Sequence, residues 1–248
     1  NNNYGAMLAK TYEDSLVFRF YTVTPTLRDY YKLLPAKKTL LLTSLIEGFY
    51  DSDSGLSVMD TIKVLLRKTV SPYEEVDSAI VLMSSSGTGT LEFNKALNST
   101  PYYLVIKHRN SIETWSSTVI TFDHFTKQSS YNFSNLQTAA FGNNITQVDA
   151  SPVRFAFFSG DVNQDGTIDL ADGSLIDNDA FNFESGYMPT DVNGDGFSDV
   201  FVGANGYTSN TGRAYIFLGG VAMNNTSDVT TVSYTQLRAP ETVLDFVF

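Results

Sequence analysis

Oxygen-bearing side chains recur at fixed intervals between residues 161 and 172. With Asp161 as position 1, Asn163, Asp165, Asp169 and Asp172 fall at positions 3, 5, 9 and 12, and Gly166 at position 6. Thr167, at position 7, offers its backbone carbonyl. A hard cation takes about six to eight oxygens, and one short segment supplies that many only by curling around the ion. The glycine permits the sharp turn. The chemistry implied is calcium binding, with Asp169 acting directly or through water. Asp172, shorter than the glutamate usual at position 12, must come closer to give both oxygens. Ile168, at position 8, is expected to point inward.

The pattern restarts at Asp191. Asn193, Asp195, Gly196 and Asp199 repeat positions 3, 5, 6 and 9, and Phe197 offers its carbonyl at position 7. Position 12 is Val202, which has no ligating side chain, and the text after it reads as a strand. The expectation is a shorter loop closed by Asp199 at the base of a hairpin. Between residues 155 and 212 the chain has ten acids and no Lys, Arg or His, so this stretch carries −10 of the net −11. Two like charges about 4 Å apart repel by roughly 4 kcal/mol at an effective dielectric near 20. A bound cation converts that repulsion into attraction, so calcium is the expected cofactor and should order the region.

The other residue types exclude several function classes. The acidic balance disfavours nucleic acid as a partner. No cysteine is present, which removes disulfides, thiolate zinc sites and thiol nucleophiles. No apolar run is long enough to span a bilayer, and no signal peptide is visible. The chain begins at Asn1 and reads as a fragment or processed product. The histidines are His108 and His124. His108, beside Arg109, reads as structural. Trp115, Tyr102 and Tyr103 have the faces to stack on sugars but read as core or rim residues. No nucleotide-binding motif or catalytic set stands out, and the expectation is a protein that is not an enzyme.

At 248 residues, with 42% hydrophobic and 13% aromatic content, the chain suits a mainly β fold with a substantial core. Residues 1–37 form an ambiguous N-terminal segment, with a candidate strand at 15–23 and linker-like text between Pro25 and Pro35. Residues 38–158 read as strands at 39–50, 57–67, 75–84, 89–94, 102–109, 116–122, 130–133 and 154–159. Turn signals at 51–55 and 84–89 separate some of them. That spacing predicts an antiparallel β-sandwich. Residues 159–220 form the calcium-loop region: a short helix over 170–181, then a hairpin of strands at 199–204 and 213–218. The tail, 221–248, reads as irregular.

Residues 160–172 (GDVNQDGTIDLAD) resemble the type I dockerin repeat, and 190–196 (TDVNGDG) reopens the motif. The resemblance covers about 158–199. It implies an EF-hand-like calcium loop followed by a helix, and a cohesin-like or other cell-surface protein as partner. Leu170 and Ala171 stand where such repeats often carry a Ser/Thr recognition pair. Residues 191–206 (DVNGDGFSDVFVGANG) and 212–219 (GRAYIFLG) are similar to an FG-GAP repeat, the calcium-bearing blade of integrin-type propellers. Upstream, 102–115 (YYLVIKHRNSIETW) resembles an immunoglobulin-like or transthyretin-like sandwich module of secreted bacterial proteins. Residues 232–242 (VSYTQLRAPET) resemble a translated sequencing adapter, which implies that the tail from there is not native text. Together these resemblances imply a secreted or cell-surface calcium-binding module for adhesion, anchoring or matrix structure. The alternative is the dockerin-bearing accessory region of a secreted enzyme that degrades polysaccharide, with polysaccharide as a further partner.

Overall fold

The computed structural model describes residues 5–12, 15–22, 24, 26–34, 36–204, 213–217 and 229–233. Among these residues the structure is mainly β with one α-helix. The chain opens with an antiparallel meander, β1 (Gly5–Tyr12), β2 (Ser15–Thr22) and β3 (Leu27–Leu33). The candidate strand at 15–23 is therefore β2, and the text between the two prolines forms β3 instead of a linker. Tyr30 and Tyr31 favour extended backbone, and β3 takes up register with β2 along Leu16↔Leu33 to Tyr21↔Leu27. Its side chains are exposed, so it lacks the half-buried alternation that marks a strand in text.

Two sheets then face each other across one apolar core. The first has β4 (Lys38–Thr43) at its centre. After β4 come a 3₁₀ turn, Glu47–Phe49, and the short pair β5 (Tyr50–Asp51) and β6 (Leu56–Ser57). Next are β7 (Thr61–Arg67), β8 (Glu75–Leu82), β9 (Thr88–Phe93), β10 (Tyr103–His108), β11 (Ser111–Trp115) and β12 (Gln128–Asn132). The sheet orders are β12-β4-β9 and β11-β10-β7-β8. Alternation explains the packing. Leu40 and Leu42 of β4, Leu91 and Phe93 of β9, Ile62, Val64 and Leu66 of β7, and Leu104 and Ile106 of β10 all point inward and are essentially fully buried. Burying each such side chain stabilises the fold by about 1.5–3 kcal/mol.

Two expectations for this unit are corrected. Pairing is not antiparallel throughout, because β12 runs parallel to β4 from Gln128↔Thr39 to Asn132↔Thr43. The strand expected at 116–122 sits earlier, as β11. A tight reversal at Arg109–Asn110 pairs 111–115 back onto β10. Residues 116–122 then make only isolated bridges, such as Tyr102↔Ile120 and Asn98↔Phe122. That segment carries the chain across the core, so that β12 enters in the direction of β4.

A hairpin of β13 (Thr146–Ala150) and β14 (Val153–Ala156) follows. Helix α1 (Leu170–Phe181) occupies the predicted span. β15 (Val200–Ala204), β16 (Arg213–Phe217) and β17 (Val229–Ser233) form a last antiparallel sheet. β17 corrects the reading of the tail as irregular: Val229 to Ser233 pair with β16. The expected loop at 205–212 and the tail at 234–248 lie outside the described residues. No helix among the described residues is long and apolar enough to cross a membrane.

Candidate metal centre

The first loop is wound by its own side chains. The Asp161 carboxylate accepts the amides of Asp165 (3.1 Å) and Gly166 (3.2 Å). Asn163 Oδ1 accepts the Asp165 amide (2.8 Å), and Asp165 Oδ1 accepts the Thr167 amide (2.9 Å) and hydroxyl (2.6 Å). Gly166, at φ +90°, makes the turn an L side chain resists. Asp172 closes the loop by accepting the amides of Val162 (2.9 Å) and Asn163 (3.1 Å) on Oδ1 and that of Asp169 (2.9 Å) on Oδ2.

Asp169 and Asp172 also cap α1. Asp169 is the N-cap, its Oδ1 accepting the Ala171 amide at 2.7 Å, and with Asp172 it forms a reciprocal capping box. Ile168 does point inward, packing with Ile112 and Phe158. Gly160, at φ +118°, lies where a Cβ would come within 3.1 Å of Ile168.

The second loop repeats this winding. Asp191 accepts the amides of Gly194 (2.7 Å), Asp195 (3.2 Å) and Gly196 (3.1 Å). Asn193 Oδ1 accepts the Asp195 amide (3.0 Å), and Asp195 Oδ1 accepts that of Phe197 (2.8 Å). Asp199, fully buried, accepts the Val192 amide at 2.7 Å. It thus takes the place that Asp172 holds against Val162. β15 starts at the next residue.

The electrostatics of the two loops differ. Burial pushes the Asp161 carboxyl up to about 6, with the charges of Asp172 and Asp165 adding to it and the amides of Gly166 and Asp165 opposing. Burial also raises Asp172, against three amides. Among the described residues no cationic side chain pairs with either. Burial raises Asp191 too, but the Arg109 guanidinium opposes that shift. Asp165 is held below the usual range, chiefly by the Thr167 hydroxyl.

Among the described residues, no three carboxylate or imidazole groups stand together as a ready metal cluster. The oxygens are instead turned onto the loops' own amides. In donor type the set fits a hard cation: it is all oxygen, and Asp161 and Asp172, both buried, have no counter-ion among the described residues. Asp161, Asn163, Asp165, Asp169 and Asp172, with the Thr167 carbonyl, would hold calcium in the first loop. Asp191, Asn193, Asp195 and Asp199, with the Phe197 carbonyl, would do so in the second.

The second loop and the strands behind it decide the comparison. Residues 188–217 match the FG-GAP repeat. The FG-GAP match begins just before Asp191 and ends with β16, so it holds the loop closed by Asp199 and the hairpin beyond it. No curated protein matches the chain.

A polar junction that the motif reading missed fixes the second loop to the two-sheet unit. Arg109 Nε donates to Asp60 Oδ2 (2.9 Å), Nη1 donates to the Asp191 carbonyl (2.9 Å), and Nη2 lies 3.6 Å from Asp191 Oδ2. The guanidinium sits over the rings of Tyr187 (4.6 Å) and Phe49 (5.3 Å). The side-chain amide of Asn110, fully buried, donates to the same Asp191 carbonyl (2.8 Å), and the Asn110 backbone carbonyl accepts the Gly160 amide (2.6 Å). Tyr187 donates to Asp60 Oδ1 (2.6 Å), and His108 Nε2 lies 3.1 Å from Asp60 Oδ2. His108 is thus buried within this junction, its ring edge-on to Phe49 at 5.2 Å. The only advance signal was an Arg-Asn pair at a hairpin reversal.

Proposed function

We propose that this chain is a non-catalytic calcium-binding module that works outside the cell, in adhesion, anchoring or surface structure. One observation carries the reading. Two loops, thirty residues apart, are wound by the same side-chain-to-amide pattern around Asp161 and Asp191. That winding brings acidic side chains into segments with too little positive charge to neutralise them. A divalent cation with a preference for oxygen meets that demand, and millimolar calcium is available outside cells to loops of modest affinity. The two-sheet unit is read as the sandwich module that carries the loops. The dockerin-like text at 158–199 and the FG-GAP repeat support an anchoring or adhesive role.

Differential scanning calorimetry of the full chain, with calcium and with chelator, tests the proposal. Calcium is expected to raise the melting temperature and chelation to lower it, because a ligand that binds only the folded chain stabilises it. No shift, together with no heat of binding at millimolar calcium, would sink it.

A further inference from the structure

The two loops share a winding but not a setting. Asp161 and Asp172 of the first have no cationic partner among the described residues, whereas Asp191 of the second faces a guanidinium. That guanidinium is itself fixed. Its side chain is 11% exposed, held on Nε by the buried carboxylate of Asp60 and flanked by two aromatic rings. Asp60 is in turn oriented by His108 and Tyr187. Arg109 therefore reaches the first position of the second loop from the β10–β11 reversal, anchored by Asp60 just ahead of β7. It contacts both the carbonyl and the carboxylate of Asp191. Asn110 doubles the hold on the carbonyl.

We propose that Arg109 is the protein's own cation for the second loop, a positioning residue that keeps this loop wound without metal while the first loop depends on calcium. The half concerning the first loop rests on the calcium reading; the half concerning Arg109 does not. A rigid fork suits this task better than an ammonium, because it serves Asp60 and Asp191 together in one plane.

Hydrogen exchange read by mass spectrometry on the full chain separates the two halves. In chelator, the second-loop amides of Asp195 and Gly196 are expected to be protected in the wild type. Arg109→Met is expected to speed their exchange by roughly ten- to a hundredfold, the range that follows from losing charge-assisted hydrogen bonds. Arg109→Lys should fall between, keeping charge but losing the fork. Peptides from β7 and β10 should change less than the second loop. Unchanged second-loop exchange in Arg109→Met overturns the proposal, as does an equal acceleration of the loop and those strands. Should Arg109→Met not fold, Tyr187→Phe removes one hydroxyl from the Asp60 support. It should speed second-loop exchange in the same direction, and no change there counts against the proposal. In the wild type, calcium should slow exchange at Asp165 and Gly166. If it does not, the calcium reading fails, while the Arg109 result, obtained entirely in chelator, stands.

Discussion

In the first loop, the proposed calcium would compete with protons for the same oxygens. Burial and neighbouring charge lift Asp161 from 3.8 to about 6, so the folded, metal-free chain holds this proton more tightly than the unfolded chain does. Its contribution to stability is fully present below the ordinary value and is lost as pH rises through about 6. In chelator, the melting temperature of the wild type relative to Asp161→Asn should therefore fall as pH rises across that window. Saturating calcium should abolish the fall, since the metal stands in for the proton. Fluorimetric melting across pH checks both. Calorimetric titration makes a second check: Asp161→Ala and Asp165→Ala should weaken calcium binding more than Asp177→Ala, because Asp177 lies outside the winding. Equal effects would mean diffuse charge and no site. The winding was legible because it is local: Asp161 and Asp165 meet amides only a few positions on, and Asp172 reaches back no further than Val162. Arg109 was not, since its partners Asp60 and Asp191 are 49 and 82 residues away.

At the scale of elements, α1 depends on the loop that precedes it. Asp169 and Asp172 satisfy each other's amides at the first turn, where helix N–H groups otherwise lack partners. In chelator, where no metal role intrudes, Asp169→Ala should cost about 1 kcal/mol. For a chain of this size that is a drop in melting temperature of about 2–4 °C, which calorimetry resolves. The helix was legible from weak apolar spacing at Leu170, Leu175, Ile176 and Phe181, of which only Ile176 is buried, and Gly173, a poor helix residue in isolation, is tolerated on the buried side. β12 illustrates the opposite case. Nothing in its five residues tells that they will run parallel to β4, because that follows from how 116–127 crosses the core. β3 was missed for a different reason: with every side chain exposed, it has no inside and outside for an alternating pattern to record.

Across the whole molecule, the junction decides whether the loops are an appendage or part of the body. Gly48 shows how close the approach is. A Cβ there would lie 2.3 Å from the Val192 carbonyl oxygen, which sits one residue past Asp191. Gly48→Ala should push the second loop off the two-sheet unit and destabilise the chain by about 1–3 kcal/mol, the usual range for overpacking. Calorimetry measures the loss, and hydrogen exchange at Asp195 and Gly196 shows whether the loop has moved. The mainly β class could be read from composition and strand spacing, but this seam between residues 48 and 192 is a tertiary contact that no local pattern records. The chain has a single tryptophan, Trp115, at the end of β11. Its indole donates to Glu113 (2.7 Å) and lies beside Arg67, Tyr73 and Tyr103 on the two-sheet unit, not in either loop. Selectively excited indole emission therefore watches the body alone. A colour change at Trp115 during a calcium titration would be news carried across the seam, and a silent indole would mean the ion's effect stops at the loops.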